Sequence, residues 1–240
     1  VSTGLYVHVP FCLTRCGYCD FNAYAGLDAL QPRYLRGLVA EVQLAAAGWD
    51  GATIDSVFLG GGTPTTIDPD HLGGLLETIR GTFEVAGDAE VTVEANPDTV
   101  DEASMAALRA AGFTRISIGA QSFDPTVLRS LERVHRPDAV RRAVAAARAG
   151  GYDDLNLDLI YGAHGESLGS WERTLAETIA LAPEHVSAYA LTIEPATPLG
   201  RAVARGDVSP PDPDVQADMF QLVCAMLRDA GYGHYEVSNW

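Results

Sequence analysis

Three cysteines, Cys12, Cys16 and Cys19, crowd the run His8-Val-Pro-Phe-Cys-Leu-Thr-Arg-Cys-Gly-Tyr-Cys-Asp-Phe21. A CxxxCxxC loop directly after an apolar strand can point three thiolates at one centre, and thiolates are the ligands of iron–sulfur clusters. A four-iron cluster normally takes four cysteines, so a set of three suits a cluster with one iron left open. The remaining cysteine, Cys224, sits in a helical apolar pattern with Val215, Met219, Leu222, Val223, Met226 and Leu227, where it reads as a small buried hydrophobe. Two rival chemistries stay open. A structural zinc would need a fourth ligand to close its tetrahedron, with His8 the candidate. A disulfide framework or a redox dithiol works with paired thiols, which fits a triplet poorly.

The elements that must carry this loop alternate between two periodicities, and that alternation favours parallel βαβ units. Residues 5–9 read as the first strand, and residues 34–44 have helical spacing. Residues 54–59 form a strand that ends in Gly60-Gly61-Gly62-Thr63-Pro64, and Asp68-Pro69 supplies a helix cap followed by proline at the first helical position. A third strand is expected at 90–95, a helix at 102–111 stopped by Gly112, and a fourth strand at 115–120. Asp124-Pro125 opens a short helix. Then come a helix at 137–149, a strand at 155–160, a helix at 170–181 and a strand at 185–191. Residues 194–213, rich in Pro and Gly, read as a loop; a last helix at 214–229 leads to a closing strand at 232–237. About six βα units result, fewer than the eight of a closed barrel, so the expected fold is α/β, an open, partial (β/α)6 barrel in one domain over residues 1–240.

In such barrels chemistry collects at the carboxyl ends of strands. The triple glycine after the second strand allows a ligand to approach bare backbone; it lacks the Gly-Lys-Ser/Thr of a phosphate loop, and a plain turn is its other reading. Glu94 ends the third strand in Glu-Ala-Asn-Pro-Asp, with simple surface solvation as its alternative. Gln121 closes the fourth strand in Ser117-Ile-Gly-Ala-Gln-Ser-Phe123. Asp158, inside the apolar strand Asn156-Leu-Asp-Leu-Ile-Tyr-Gly162, costs several kcal/mol unless it is paired or ligated. Arg133, in Leu131-Glu-Arg-Val-His-Arg136, could be its partner or could hold a ligand carboxylate through a two-pronged contact.

Together these motifs resemble the radical S-adenosylmethionine superfamily, and within it the branch of oxygen-independent coproporphyrinogen III oxidases and their HemW-type relatives. The match runs from Tyr6-Val-His-Val-Pro-Phe-Cys12 through GGGTPT, EANPDT, SIGAQSF, LDLIYG and SAYALTIEP to Tyr235-Glu-Val-Ser-Asn-Trp240. The resemblance implies that Cys12, Cys16 and Cys19 hold a [4Fe-4S] cluster and that the amino and carboxylate groups of S-adenosylmethionine chelate the fourth iron. It implies cofactor contacts at Gly61, Gly62, Thr63, Glu94, Gln121, Arg133 and Asp158, and a pocket lined also by Tyr6 and Ala190, which could equally be ordinary core residues. An electron from the reduced cluster then cleaves the sulfonium to give a 5′-deoxyadenosyl radical; the protein's part is orientation and exclusion of water and oxygen.

Within the branch, true oxidases carry a further cysteine two places after the third, where this chain has Phe21. The Cys-Asp-Phe form is typical of HemW-like haem chaperones, which bind haem and pass it to haemoproteins. The expected function is therefore a haem chaperone with cluster and S-adenosylmethionine. A coproporphyrinogen oxidase is the enzymatic alternative and a catalytically silent zinc domain the structural one. Haem or a porphyrinogen, a reductant such as flavodoxin or ferredoxin, and a haemoprotein acceptor are the implied partners. The loop Tyr161-Gly-Ala-His-Gly-Glu-Ser167 departs from the YGLPGQT usual in relatives, which places at His164 a possible iron ligand or a plain loop substitution. The family's haem-binding HNxxYW motif is expected beyond Trp240, and the chain reads as a piece of a longer protein.

Composition narrows the partners. A formal net charge of −16 argues against nucleic acid, which needs a basic footprint. No stretch reaches the ~18 uninterrupted apolar residues of a membrane span, and clustered reduced thiols fit the cytoplasm.

Overall fold

The computed structural model describes residues 3–240. The chain divides into two compact units. The first comprises the stretch ending at Thr14 together with Phe21–Ile116 and Ala145–Asp153; the second comprises Arg15–Asp20, Ser117–Val144 and Asp154–Trp240.

In the first unit, β1 (Gly4–Val9), β4 (Ile54–Gly61) and β5 (Val85–Ala95) pair in parallel, with Val9 opposite Gly61 and Leu59 opposite Val93. Between β1 and β4 lie a two-residue ladder, β2 (Phe11–Cys12) with β3 (Tyr24–Ala25), and helix α1 (Gln31–Ala46). Helix α2 (Pro69–Thr82) starts where sequence places it, with the Asp68 carboxylate accepting from the Asp70 amide. Helix α3 (Glu102–Ala111) has a reciprocal capping box between Asp101 and Ser104 and stops at Gly112, whose φ of 103° suits glycine. The core joins Val7, Val9, Val57 and Leu59 of the strands to Leu72, Leu76, Ile79, Met105 and Leu108 of the helices, all buried; each such side chain contributes roughly 1.5–3 kcal/mol.

In the second unit, β6 (Arg115–Gln121, from Ser117 on), β7 (Asp154–Tyr161) and β8 (His185–Ala190) take the same order as the sequence, and β7 and β8 are parallel. Helices α4 (Pro125–Ser130), α5 (Pro137–Ala149), α6 (Leu168–Ala180), α7 (Pro198–Arg205) and α8 (Pro213–Asp229) complete the chain. Trp171 is fully buried, its indole N–H donating to the Met219 carbonyl at 3.0 Å, and so ties α6 to α8.

Two expectations are corrected here. The segment 194–213 is not all loop, because Thr197 caps α7 and Gly206 ends it in the left-handed region at φ 80°. The segment 232–237 is not a strand. The tail instead meets β8 through Val186 and Trp240, which exchange two backbone hydrogen bonds of 2.9 Å, and through an isolated bridge between Ser187 and Asn239. No described helix is long and apolar enough to cross a membrane.

Candidate cluster and cofactor site

In the first unit, the end of β4 folds back onto the residues that lead into the cysteine run. Gly61 turns the backbone at φ 107°, and the next two amides dock on the opposite segment, Gly62 N–H on Val9 O at 2.8 Å and Thr63 N–H on Phe11 O at 2.6 Å. A Cβ on Gly62 would lie 2.7 Å from the carbonyl oxygens of both Val9 and Phe11. The glycine is therefore required by this backbone contact, whatever else it faces. The Thr63 hydroxyl donates to the Cys12 sulfur at 3.6 Å. Glu94, at the end of β5, accepts from the Gly61 amide at 2.9 Å, so it holds the glycine turn from the side of the neighbouring strand.

Tyr6 is 56% exposed, which removes its reading as a core residue. Its hydroxyl pairs with His8 Nδ1 at 3.0 Å, while His8 Nε2 lies 2.8 Å from the Asn22 carbonyl. A carbonyl only accepts, so Nε2 carries the proton and Nδ1 receives the tyrosine hydroxyl. Both ring nitrogens of His8 are engaged, and service as a zinc ligand would require breaking one of these bonds.

In the second unit, Cys16 is buried and Cys19 half-buried, and a turn from Cys19 N–H to Cys16 O at 3.2 Å joins them. A Cβ on Gly17 between them would lie 2.5 Å from the Glu132 carboxylate carbon, so the glutamate side chain would have to move aside. Arg133 NH1 donates to the Cys16 sulfur at 3.4 Å, its NH2 to Gly119 O at 2.9 Å and its Nε to His135 Nδ1 at 3.3 Å. Tyr18 sits beside this guanidinium. Burial, opposed by the Arg133 charge, pushes its hydroxyl well above the ordinary tyrosine range, so it stays protonated.

Gln121 is buried with φ 61°, an uncommon conformation for a residue other than glycine and one that concentrates at functional sites. Asp158 accepts from the Ser117 hydroxyl at 2.8 Å and the Asn156 amide at 2.9 Å. Asn156 in turn meets His185 at 2.6 Å, and His185 meets Tyr235 at 2.7 Å. This chain of polar groups answers the burial cost of an acid in an apolar strand. Ala190, at the end of β8, is exposed and so, like Tyr6, is no core residue. His164 is exposed, and Cys224 is half-buried in α8 with its thiol pKa raised by burial.

Sequence reading missed His135, Tyr18 and Glu166. Glu166 follows β7, its Oε2 accepting from the amides of Gly162 and Ala163 at 2.8 and 3.2 Å, while Oε1 is buried without a partner. Burial raises its pKa to about 7, the two amides opposing the shift. A glutamate one residue before a helix cap gives no sequence signal of this.

The donor set suits an iron–sulfur cluster. The Cys12 sulfur receives a hydrogen bond from a hydroxyl and the Cys16 sulfur one from a guanidinium, as metal-ligating groups do. Among the described residues no three His, Cys, Asp or Glu side chains are gathered as around a single ion; a four-iron cluster instead places its cysteines on separate corners.

Comparison with known proteins agrees. The family model of the radical SAM superfamily matches residues 6–178. "Heme chaperone HemW" of Mycobacterium tuberculosis is 49% identical over 240 residues, covering 99% of this chain and 62% of that protein. HemW of Escherichia coli is 39% identical over 238 residues, with 98% and 62% covered. The chain thus spans less than two thirds of the length of these relatives. Among solved structures, the coproporphyrinogen III oxidase HemN of Escherichia coli superposes with a TM-score of 0.89 at 29% identity, covering 99% of this chain and 55% of that one. The α/β order of strands and helices expected from the sequence is thus shared with that structure. The chain belongs to the radical SAM superfamily.

Proposed function

We propose that this chain is the cluster- and S-adenosylmethionine-binding part of a haem chaperone of the HemW type. The observation that carries the reading is the 49% identity to HemW over the full stretch. Phe21 supports it, since it stands where the oxidases have a further cysteine and is 62% exposed.

Cys12, Cys16 and Cys19 would hold a [4Fe-4S] cluster, with S-adenosylmethionine bound beside it. When bound and reduced, the cluster supplies the single electron that sulfonium cleavage requires. The chain's own residues bind and orient. Gly61, Gly62 and Thr63, at the end of β4, would meet the methionyl amino group, and Glu94, which accepts from the Gly61 amide, would be a further cofactor contact. Arg133 would offer N–H donors to the methionyl carboxylate, and Gln121, Asp158, Tyr6 and Ala190 are the further cofactor contacts that the family resemblance implies. Haem is the cargo, a haemoprotein the acceptor and a flavodoxin or ferredoxin the reductant, in the cytoplasm.

The likeness to HemN favours a second reading, oxidation of coproporphyrinogen. Full-length protein, reconstituted without oxygen, separates the two. With dithionite and coproporphyrinogen, the chaperone makes no protoporphyrinogen at turnover and takes up haem stoichiometrically. Catalytic product formation would overturn the reading in favour of the oxidase. One zinc with no iron or sulfide would overturn both.

A further inference from the structure

We propose that His135 is a positioning residue that raises the reduction potential of the cluster by locking the Arg133 guanidinium onto the sulfur of Cys16. The proposal rests on the assignment of Cys16 as a cluster ligand.

The argument starts from His135 itself. It is 3% exposed, and its Nε2 lies 3.0 Å from the carbonyl of Ala120. Because a carbonyl only accepts, Nε2 carries the ring proton and Nδ1 presents a lone pair. The Nε–H of Arg133 points at that lone pair at 3.3 Å, and the NH2 of the same guanidinium donates to Gly119 O at 2.9 Å. Gly119 and Ala120 are consecutive residues of β6, so one strand end anchors both the arginine and the histidine that steers it.

A guanidinium is planar, with its donors in a fixed fork. Fixing Nε and NH2 leaves NH1 no choice of direction, and it meets Cys16 Sγ at 3.4 Å. The segment is also pressed against the cysteine loop from behind. Glu132 adopts φ 53°, and its carboxylate fills the space in which Gly17 lacks a Cβ.

The surroundings strengthen the effect. Cys16 is 8% exposed, so the N–H···S contact lies out of water, where an electrostatic interaction is less screened. The outer side of Arg133 and His135 borders a cavity of about 540 Å³ whose rim includes Arg129, Arg136 and Arg141. Asp138 lies on the same rim and pairs with Arg136, and Arg141 pairs with Glu177, so the direct contact with Cys16 carries the effect. Reduction adds negative charge to the cluster and its sulfurs. Hydrogen bonds to those sulfurs therefore favour the reduced form and raise the potential.

The test is an anaerobic redox titration of the reconstituted full-length protein, following the electron paramagnetic resonance signal of the reduced cluster. Iron and sulfide are counted for every variant. His135→Leu removes the acceptor; His135→Asn restores one, with Oδ1 in the place of Nδ1. At a fixed potential, His135→Leu is expected to lower the ratio of reduced to oxidised cluster about tenfold, equivalent to about −59 mV for a one-electron couple. His135→Asn is expected to recover most of that ratio. Arg133→Lys should shift the potential in the same direction, and His135→Leu combined with Arg133→Lys should add little to Arg133→Lys alone, as expected for two residues acting through one contact.

A His135→Leu protein with full iron and sulfide and a potential unchanged within twofold in that ratio would overturn the proposal. So would additive shifts in the double variant, or an equal loss in His135→Asn and His135→Leu. If His135→Leu does not fold, the comparison of His135→Asn with Arg133→Lys decides: wild-type potential in Arg133→Lys overturns the proposal. Failure of the wild-type protein itself to assemble iron and sulfide would instead overturn the cluster assignment beneath it.

Discussion

Gly62 offers a test that separates a structural role from a ligand-binding one. Family resemblance makes it a cofactor contact, in which case substitution should leave the protein without cofactor untouched. The geometry assigns it a second task. Its amide donates to Val9 O at 2.8 Å, the next amide donates to Phe11 O at 2.6 Å, and an added Cβ would stand 2.7 Å from both acceptor oxygens. These are backbone atoms, which cannot rotate away. Gly62→Ala must therefore lengthen both hydrogen bonds, each contributing about 1 kcal/mol, or accept an overpacking cost of about 1–3 kcal/mol. Either route costs about 2 kcal/mol, and for a chain of this size each kcal/mol corresponds to about 2–4 °C in Tm. Thermal unfolding of the cofactor-free protein should then fall by about 4–8 °C on the same scale. Gly81→Ala, on α2 with nothing within 4 Å of its added Cβ, is the control and should lose nothing. If cofactor-free Gly62→Ala melted within about 2 °C of wild type, the reasoning from the backbone contact would be wrong.

Further outcomes follow from other residues. Alanine at Cys12, Cys16 or Cys19 should abolish the brown chromophore of anaerobically reconstituted protein while Cys224→Ala keeps it; visible absorption with iron and sulfide counts checks this, and colour retained in Cys16→Ala would refute the ligand set. Glu166, with a folded pKa of about 7 against an ordinary 4.5, binds its proton more tightly folded than unfolded. Its contribution to stability therefore falls as pH rises from about 4.5 to about 7, by about 3 kcal/mol at most. Glu166→Gln should flatten the decline in Tm between pH 5 and pH 8, and an unchanged slope would refute the assignment. Asp101→Ala removes the capping box of α3 and should lower the midpoint of a denaturant melt, which Asp101→Asn should largely keep.

The alternation of strands and helices was legible because its boundaries are written in local chemistry. Asp68-Pro69 and Asp124-Pro125 place a side-chain acceptor and a proline at the first turn, and the helices begin there. Helix α7 escaped because its eight residues lie among prolines and glycines, and its cap and stop, Thr197 and Gly206, look like ordinary loop residues. The segment 232–237 escaped for the opposite reason. Its apolar residues suggest a strand, yet Tyr235 and Val237 are exposed, and the contacts with β8 are made by Asn239 and Trp240.

At the site, cysteines, glycines and strand-end acids announce themselves by type and spacing. His135 does not, because its role depends on two carbonyls of β6 some fifteen residues earlier in the chain. Sequence offers Arg133 as a partner of Asp158 or of a ligand carboxylate; among the hydrogen bonds of the structure, Asp158 accepts from Ser117 and Asn156, and Arg133 donates to a sulfur. Spacing alone could not distinguish these outcomes, since all four residues lie on or beside neighbouring strands.

The short ladder of β2 with β3 pairs Phe11 with Tyr24 and Cys12 with Ala25, and a further bond from Tyr24 N–H to Pro10 O at 2.7 Å extends it. It clamps the stem of the segment bearing Cys16 and Cys19. Tethering the ends of a loop of roughly a dozen residues corresponds to about 2 kcal/mol of closure entropy. That penalty is offset by the backbone bonds of the ladder, so the excursion between Cys12 and Tyr24 is held at its base by the polypeptide itself.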